Sequence, residues 1–274
     1  MFFVMTPTRD FGRFVGDAVQ SVRDQGIPGL HHHIQDAMST DDTADVVASR
    51  SWPGLVHRVE PDRGLSDALN RALAACPPEA SFIGWLNADE FYLPGALDAV
   101  TRVFAKHPEA EVVYGDSIHV DQDGRVLRLV AQHRFSPTVL WSMRHLYIQS
   151  GSVFFRRSLL DRGLLSFSED YKQAMDHEMF LRLARAGVRF HYVPKAISCF
   201  RVHGAQLSQT NGAHVASRDF AALAADFGHR PQPWKGRAAH RARKIAEGAY
   251  LRELKTRQRR GTSLRWFDDQ RATS

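Results

Sequence analysis

Side chains able to do chemistry gather at the ends of short apolar runs. Phe82-Ile83-Gly84-Trp85-Leu86 has the pattern of a buried strand, and it delivers Asn87-Ala88-Asp89-Glu90 at its open end. Hard carboxylate oxygens there suit Mg²⁺ or Mn²⁺. Such an ion can clamp a diphosphate and stabilise the charge that develops as it leaves. Two adjacent acids after a strand are also common as turn or cap residues. A second run ends at Asp36, followed by Ala37-Met38-Ser39-Thr40-Asp41-Asp42-Thr43. A carboxylate in that place can accept from the N–H of a uracil or from ribose hydroxyls. Ser39 and Asp42 fit the start of a capped helix. A third loop, Glu60-Pro61-Asp62-Arg63-Gly64, offers Asp62 and Arg63, and its glycine allows a tight turn or close ligand approach. Ser66 just beyond it fits a helix cap.

Three further groups bear on the chemistry, two of them in the second half of the chain. Asp176 falls in the first turn of a helical pattern. An acid there is favoured by the helix dipole alone, but it is also a candidate general base. Phe200-Arg201-Val202-His203 ends a strand pattern. Its histidine can complete a metal site or meet phosphate, and its arginine can pair with phosphate. His31-His32-His33 looks like a metal run but sits inside a strand pattern. Alternation sends neighbours to opposite faces, so these histidines read as structural.

The elements that must hold these groups alternate. Strands are predicted over 2–5 (ended by Pro7-Thr8), 30–35, 55–59 and 82–86. Helices are predicted over 11–24, from about 39, over 66–75, and from Pro94-Gly95 to about 106. This order implies an α/β fold with a mostly parallel sheet flanked by helices. Ligands bind beyond the carboxyl ends of the strands in such sheets, where Asp36 and Asp89 fall. The second half is less regular. Strands are predicted over 111–120, 125–131, 147–155, 189–193 and 196–202, with a turn at Asp121-Gln122-Asp123-Gly124. Helices are predicted over 173–186 and 211–227. A linker at Arg230-Pro231-Gln232-Pro233 leads to a last helix over 236–260.

With 274 residues, 43% hydrophobic and 24% charged, the chain can bury a sizeable core. No apolar run approaches the roughly 20 residues of a membrane span, and Met1-Phe2-Phe3-Val4-Met5 is too short for a signal peptide. Two distant cysteines, Cys76 and Cys199, fit a reducing compartment. These features point to the cytoplasm. The net charge of +6 is unevenly placed: residues 1–228 hold 23 Lys+Arg against 26 Asp+Glu, whereas residues 229–274 hold 13 against 4. A basic tail of this kind suits peripheral contact with anionic lipid at the inner membrane surface, or an anionic acceptor. It equally suits a helix packed on the body or on a second subunit in a homo-oligomer. Tyr250, Trp234, Trp266 and Phe267 are its only aromatic partners, and no nucleic-acid-binding motif accompanies them.

Taken in order, these segments resemble family 2 glycosyltransferases of the GT-A fold, over roughly residues 2–210. The matching phrases are Thr6-Pro7-Thr8, Asp36 through Thr43, Asp62-Arg63-Gly64 through Asn70, and Trp85 through Glu90 with Tyr92-Leu93-Pro94-Gly95. They continue with Val113-Tyr114-Gly115-Asp116, Gln149 with Phe154-Phe155-Arg156-Arg157, Met175-Asp176-His177-Glu178, and Phe200-Arg201-Val202-His203. The resemblance implies a nucleotide-binding half over about 1–120 and an acceptor-binding half over about 121–228, while the basic helical extension over 229–274 has no counterpart in it. It implies an inverting single displacement with Asp176 as base. Asp89, the acid of a DxD-type motif, and His203 would hold Mn²⁺ or Mg²⁺. Asp36 and Asp62 would contact the nucleotide of a UDP- or dTDP-sugar. Pro7, Thr8, Arg9, Arg63, Asn70, Asn87, Ala88, Glu90 and Arg201 would complete the donor site. Gln149 and Glu178 would face a glycan, lipid-linked or small-molecule acceptor. The sequence departs from the pattern at Glu90, where aspartate is usual, and Asn87 takes the first position of the motif. A degenerate, donor-binding scaffold is one alternative, resting on Glu90 alone. A sugar nucleotidylyltransferase is another, but the Gly-rich loop and lysine expected after its first strand are replaced by Thr6-Pro7-Thr8-Arg9-Asp10.

Overall fold

The computed structural model describes residues 1–143, 146–204, 213–228 and 232–263. Strand β1 (Phe2–Thr8) is buried along its whole length. It lies between β2 (His31–Asp36) and β4 (Phe82–Trp85), parallel to both. It runs past the predicted end at Pro7 for a specific reason. β4 stops opposite Met5, so beyond that point only one neighbour needs hydrogen bonds, and a residue without an N–H is tolerated. Next to β2 lies β3 (Leu55–Val59), also parallel. The remaining strands are β5 (Phe91–Tyr92), β6 (Val112–Val120), β7 (Val126–Val130), β8 (Val153–Arg156) and β9 (Phe190–Arg201). The sheet order is β3-β2-β1-β4-β8-β6-β9-β5, with β7 paired to β6. Strands β1 to β4, β6 and β9 point one way, and β5, β7 and β8 the other. This is the mostly parallel α/β sheet that the alternation implies, with antiparallel insertions in its second half.

Period-2 alternation divides the core between the two faces. Phe3, Met5, Ile83, Trp85, Tyr114 and Phe155 pack on one side with helices α3 (Leu65–Ala74) and α7 (Met175–Arg185). Phe2, Val4, Val113 and Phe154 pack on the other with α1 (Gly12–Arg23) and α4 (Ala96–Lys106). The shorter helices are α2 (Thr43–Ala48), α5 (Pro137–Ser142) and α6 (Ser158–Asp161). Cys76 and Cys199 are buried free thiols.

Three predicted elements differ. The strand expected over 147–155 begins only at Val153, after a 3₁₀ turn at Ser150–Ser152. The strands expected over 189–193 and 196–202 are one, because a register shift opposite Gly115–Ser117 absorbs Pro194 and Lys195. The last helix is broken into α9 (Pro233–Ala246) and α10 (Ala249–Thr256) by Gly248, which adopts φ +66°. Before them comes α8 (Ala213–Asp226). Asn211, Gly212, Arg230, Pro231, Trp266 and Phe267 lie outside the described residues.

The extension docks on the body. Gly236 of α9 lies against α5, where a Cβ would come within 2.8–2.9 Å of Met143 and Ser142. His240 meets His133 at 2.9 Å. From α10, Arg252 donates to Asp116 Oδ2 (3.3 Å), to the Tyr192 hydroxyl (2.5 Å) and to Gln132 O (3.1 Å). Asp116 is 1% exposed, and burial pushes its carboxyl up despite the bonds from Tyr192, Gln132 and Arg252. The arginine supplies the counter-charge that a buried carboxylate requires.

Candidate active site

Strands that run the same way end at the same edge. Register places Thr8, Asp36 and Val59 side by side where β1, β2 and β3 finish, and Asp89 follows the end of β4. β9 ends at Arg201, and two residues later His203 Nε2 meets Asp89 Oδ2 at 2.9 Å. Residues 114 apart in sequence thus share one point of the edge.

The loops after β1 and β2 are laced together. The Asp10 N–H donates to Ser39 Oγ (2.8 Å), and Asp10 Oδ1 accepts from the Thr40 N–H (2.7 Å). Asp41 Oδ2 accepts from the Gly12 N–H at the start of α1 (2.9 Å), and Thr43 Oγ1 accepts from Phe11 N–H. Asp10 and Met38 sit at φ +55° and +57°, costly for residues with a Cβ. Ser39 is therefore not the cap of α2. It serves Asp36, whose Oδ1 accepts from the Ser39 N–H and Oγ at 2.7 Å each. Asp36 Oδ2 pairs with His57 Nε2 at 3.0 Å. Asp36 is 1% exposed, so its carboxylate is held within the strand edge by these bonds. Thr8 Oγ1 beside it is buried without a partner among the described residues, while Arg9 is 74% exposed. Asp62 is half-buried, and Oδ1 accepts from the Gly64 N–H (2.9 Å).

The loop after β4 is held from several sides. Asn87 accepts from Trp85 Nε1 (2.9 Å) and donates to Ser150 Oγ (3.2 Å). This brings the 3₁₀ turn and half-buried Gln149 to the loop. Ala88 is buried against α1. Glu90 is 2% exposed and its Oε1 is without a partner among the described residues. Burial, and then Asp89, push its carboxyl up, so its neutral form is favoured. Gly151 leaves it room: a Cβ there would lie 2.5 Å from Glu90 Oε2.

Arg201, expected at the donor, is engaged within the fold. It is 3% exposed and fully engaged. It donates to Asp89 O (3.2 Å), to Gln122 O (2.9 Å) and to Asp17 Oδ2 (2.5 Å), and it lies over the rings of Phe14 and Phe91. It lies behind the loop and pins the Asp89 backbone.

Helix α7 reaches the same edge through α3. Ser66 Oγ, at the α3 N-terminus, donates to Ser168 O (2.8 Å) and lies 2.9 Å from Met175 Sδ. Tertiary contact, not capping, occupies this serine. Arg63 joins the same loop through Glu169 (2.7 Å) while also pairing with Asp67 (3.1 Å). Asp176 follows Met175. Its Oδ1 accepts only the neighbouring His177 N–H (2.7 Å), and Oδ2 has no partner among the described residues. Desolvation lifts its carboxyl to about 6. A carboxylate with a free oxygen and a pKa near neutrality is equipped to take a proton.

Two residues predicted to contact ligands have partners within the fold. Asn70 donates to Phe167 O (2.8 Å) and accepts from Phe167 N–H (2.9 Å), so its amide staples the 165–169 loop to α3. Glu178 pairs with Arg182 (2.9 Å) and lines a surface groove of about 520 Å³ with Tyr171 and Asp226. Two residues along a helix turn a side chain about 200°, away from Asp176. Another groove, of about 460 Å³, lies between β2, β3 and α3, and neither groove includes Asp89 or Asp176. His32 and His33 are in-fold partners of Thr6 (2.9 Å) and Gln35 (3.1 Å). Sequence reasoning missed His57, Asp17 and Glu169, each of which is a charge partner visible only across the fold.

A family model for glycosyl transferase family 2 matches residues 3–172. The chondroitin synthase of Escherichia coli is 22% identical over 213 residues, covering 75% of this chain, which spans only 29% of that protein's length. Among solved structures, S. aureus TarS in complex with UDP-GlcNAc superposes with a TM-score of 0.67 at 16% identity, over 86% of this chain and 69% of that one. Glucosyl-3-phosphoglycerate synthase from Mycobacterium tuberculosis, in complex with Mn²⁺, UDP and glucosyl-3-phosphoglycerate, superposes with a TM-score of 0.58 at 16% identity, over 84% and 81%.

Proposed function

This chain belongs to glycosyl transferase family 2 and has the GT-A fold, and we propose that it moves a sugar from a nucleotide-sugar donor to an acceptor hydroxyl with inversion at the anomeric carbon. One observation carries this proposal: Asp176, at the carboxyl edge of the sheet, has an unbonded oxygen among the described residues and a carboxyl lifted to about 6. At neutral pH it is mostly ionised yet still basic enough to take the acceptor proton. The acceptor oxygen then attacks the anomeric carbon as the bond to the nucleoside diphosphate breaks. An α-linked donor gives a β-linked product.

The nucleotide lies over the loops after β1, β2 and β3, where Pro7, Thr8, Arg9 and Asp62 line the edge and Asp36 frames it from below. UDP-GlcNAc in the TarS complex and UDP in that of the mycobacterial synthase support a uridine donor, with dTDP-sugars the other pyrimidine choice. Asp89 and His203 are the residues that would hold Mn²⁺ or Mg²⁺. Their donor atoms meet at 2.9 Å, and among the described residues no group of three or more His, Cys, Asp or Glu is gathered to hold a metal alone. Two protein donors fit an ion that draws its other ligands from phosphate and water. When bound, such an ion supplies positive charge beside the departing diphosphate. Arg201 keeps Asp89 in position from behind, and Gln149 stands beside the loop for the acceptor. The E. coli relative is named as a glycan synthase, which supports a sugar hydroxyl on a glycan as that acceptor.

The test is thermal unfolding with UDP, dTDP and GDP, each with and without Mn²⁺. A ligand at a hundred times its Kd stabilises by about 2.7 kcal/mol, worth about 5 °C or more in a chain of this size. A shift with one nucleotide, enlarged by Mn²⁺ in the wild type but not in Asp89→Ala, is expected. No shift with any nucleotide sinks the donor site. An equal Mn²⁺ effect in Asp89→Ala removes the metal from Asp89.

A further inference from the structure

Nine large apolar side chains are exposed among the described residues, and five of them, Trp234, Ile245, Tyr250, Leu251 and Leu254, belong to α9 and α10. Helical spacing puts Trp234, Arg241 and Ile245 on one face of α9, away from buried Gly236 and Lys244. On α10, Tyr250, Leu251 and Leu254 point outward, while Arg252 and Glu253 turn to the body. The charges exposed around these side chains are Lys235, Arg237, Arg241, Arg243, Lys255 and Arg257, and none forms an ion pair among the described residues. The two acids of this segment face inward. Glu247 accepts from the Arg134 N–H (2.8 Å), and Glu253 accepts from the Ala131 N–H (3.1 Å) and pairs with Lys244 (2.5 Å).

The exposed side of the two helices is thus apolar in its large side chains and cationic in all its charges. Folding alone does not explain this, because none of these side chains belongs to the buried apolar core. An apolar helix face flanked only by Lys and Arg matches the boundary between headgroups and acyl chains of an anionic bilayer. No helix among the described residues is long and apolar enough to cross a membrane, so the contact would lie along the surface. The face is also rigidly presented, through the Arg252–Asp116 and His240–His133 contacts. We propose that α9 and α10 dock this protein on an anionic lipid surface. Trp234, Ile245, Leu251 and Leu254 enter the interface, and the surrounding cations meet lipid phosphates. Helix α5 touches both α9 of the docking pair and the neighbourhood of Asp176. α9 packs on α5, and the Leu140 carbonyl of α5 accepts from His177 Nε2 (2.9 Å), next to Asp176.

The test is flotation of the full chain with vesicles of phosphatidylcholine alone, or of phosphatidylcholine with phosphatidylglycerol, at low and high salt. Binding is expected only to the anionic vesicles, weakened about tenfold or more by high salt. Two paired variants, Leu251→Gln with Leu254→Gln and Arg237→Glu with Arg241→Glu, should each weaken binding about tenfold or more. All four side chains are exposed, so melting temperatures should stay at the wild-type value. Tryptophan emission should shift to the blue on binding in the wild type and not in Trp234→Ala. Absence of binding to anionic vesicles overturns the proposal, as does binding that both paired variants retain in full. A dimer that Leu251→Gln with Leu254→Gln dissociates, in a chain that ignores vesicles, assigns the face to a second copy instead.

Discussion

Replacing Asp176 with asparagine separates chemistry from stability in opposite directions. Burial lifts this carboxyl from 3.8 to about 6, a change of about 2 units, or about 3 kcal/mol at 1.36 kcal/mol per unit. The ionised form is therefore disfavoured in the fold relative to the unfolded chain. The sign follows from proton binding. Between pH 4 and 6 the folded state holds more protons than the unfolded one, so stability falls as pH rises through that window and levels off above it. An asparagine at this position has no charge to desolvate. Solvent reaching this half-buried side chain reduces the full figure, and at pH 7–8 the variant should be more stable than wild type by about 1–3 kcal/mol. Near pH 4 the difference should shrink toward zero. Over a chain of this size the gain amounts to a few degrees in Tm. Activity should move the other way: kcat falls by roughly 10²–10⁴ when a general base is lost. The wild-type kcat/KM profile should rise with pH through about 6. Paired measurements of urea unfolding and initial rate across pH 4–8 check both halves. Transfer retained within tenfold, or a stability gain that does not vanish toward pH 4, would refute the reasoning.

Asn70→Ala removes both hydrogen bonds to Phe167. It should lower stability by about 1–3 kcal/mol, read as a shift in the urea midpoint. An unchanged midpoint, with donor affinity lost, would return Asn70 to the donor site. Arg252→Ala leaves Asp116 buried without its cation. The expected loss is about 2–4 kcal/mol, and equal unfolding curves would show that Tyr192 and Gln132 satisfy the carboxylate unaided.

Much of the site was legible because acids at strand ends are exceptions to an apolar pattern. Asp36 and Asp89 each end an apolar run, and the α/β alternation says that such ends share an edge. What the sequence did not reveal is which polar side chains have partners within the fold. Arg201 resembles a phosphate ligand in sequence, yet Asp17, 184 positions away, and the backbone of Gln122 occupy it. Glu178 is one turn from Arg182 and pairs with it, an ordinary helical pairing. Asn70 and Ser66 looked like site and cap residues and became fasteners of the 165–169 loop.

By itself the sequence determined which residues are apolar and at what period. That fixes strand and helix identity, the two faces of the sheet and the edge where ligands gather. The tertiary structure decided which polar atoms remain unspent. Hydrogen-bond capacity is finite and is filled by whatever the fold brings near, as His57 fills Asp36 across 21 positions and Arg252 reaches Asp116 across 136. Asp176 keeps an oxygen free because its only bond among the described residues is to its own neighbour. Its raised carboxyl comes from burial, a property that no spacing of residues can encode.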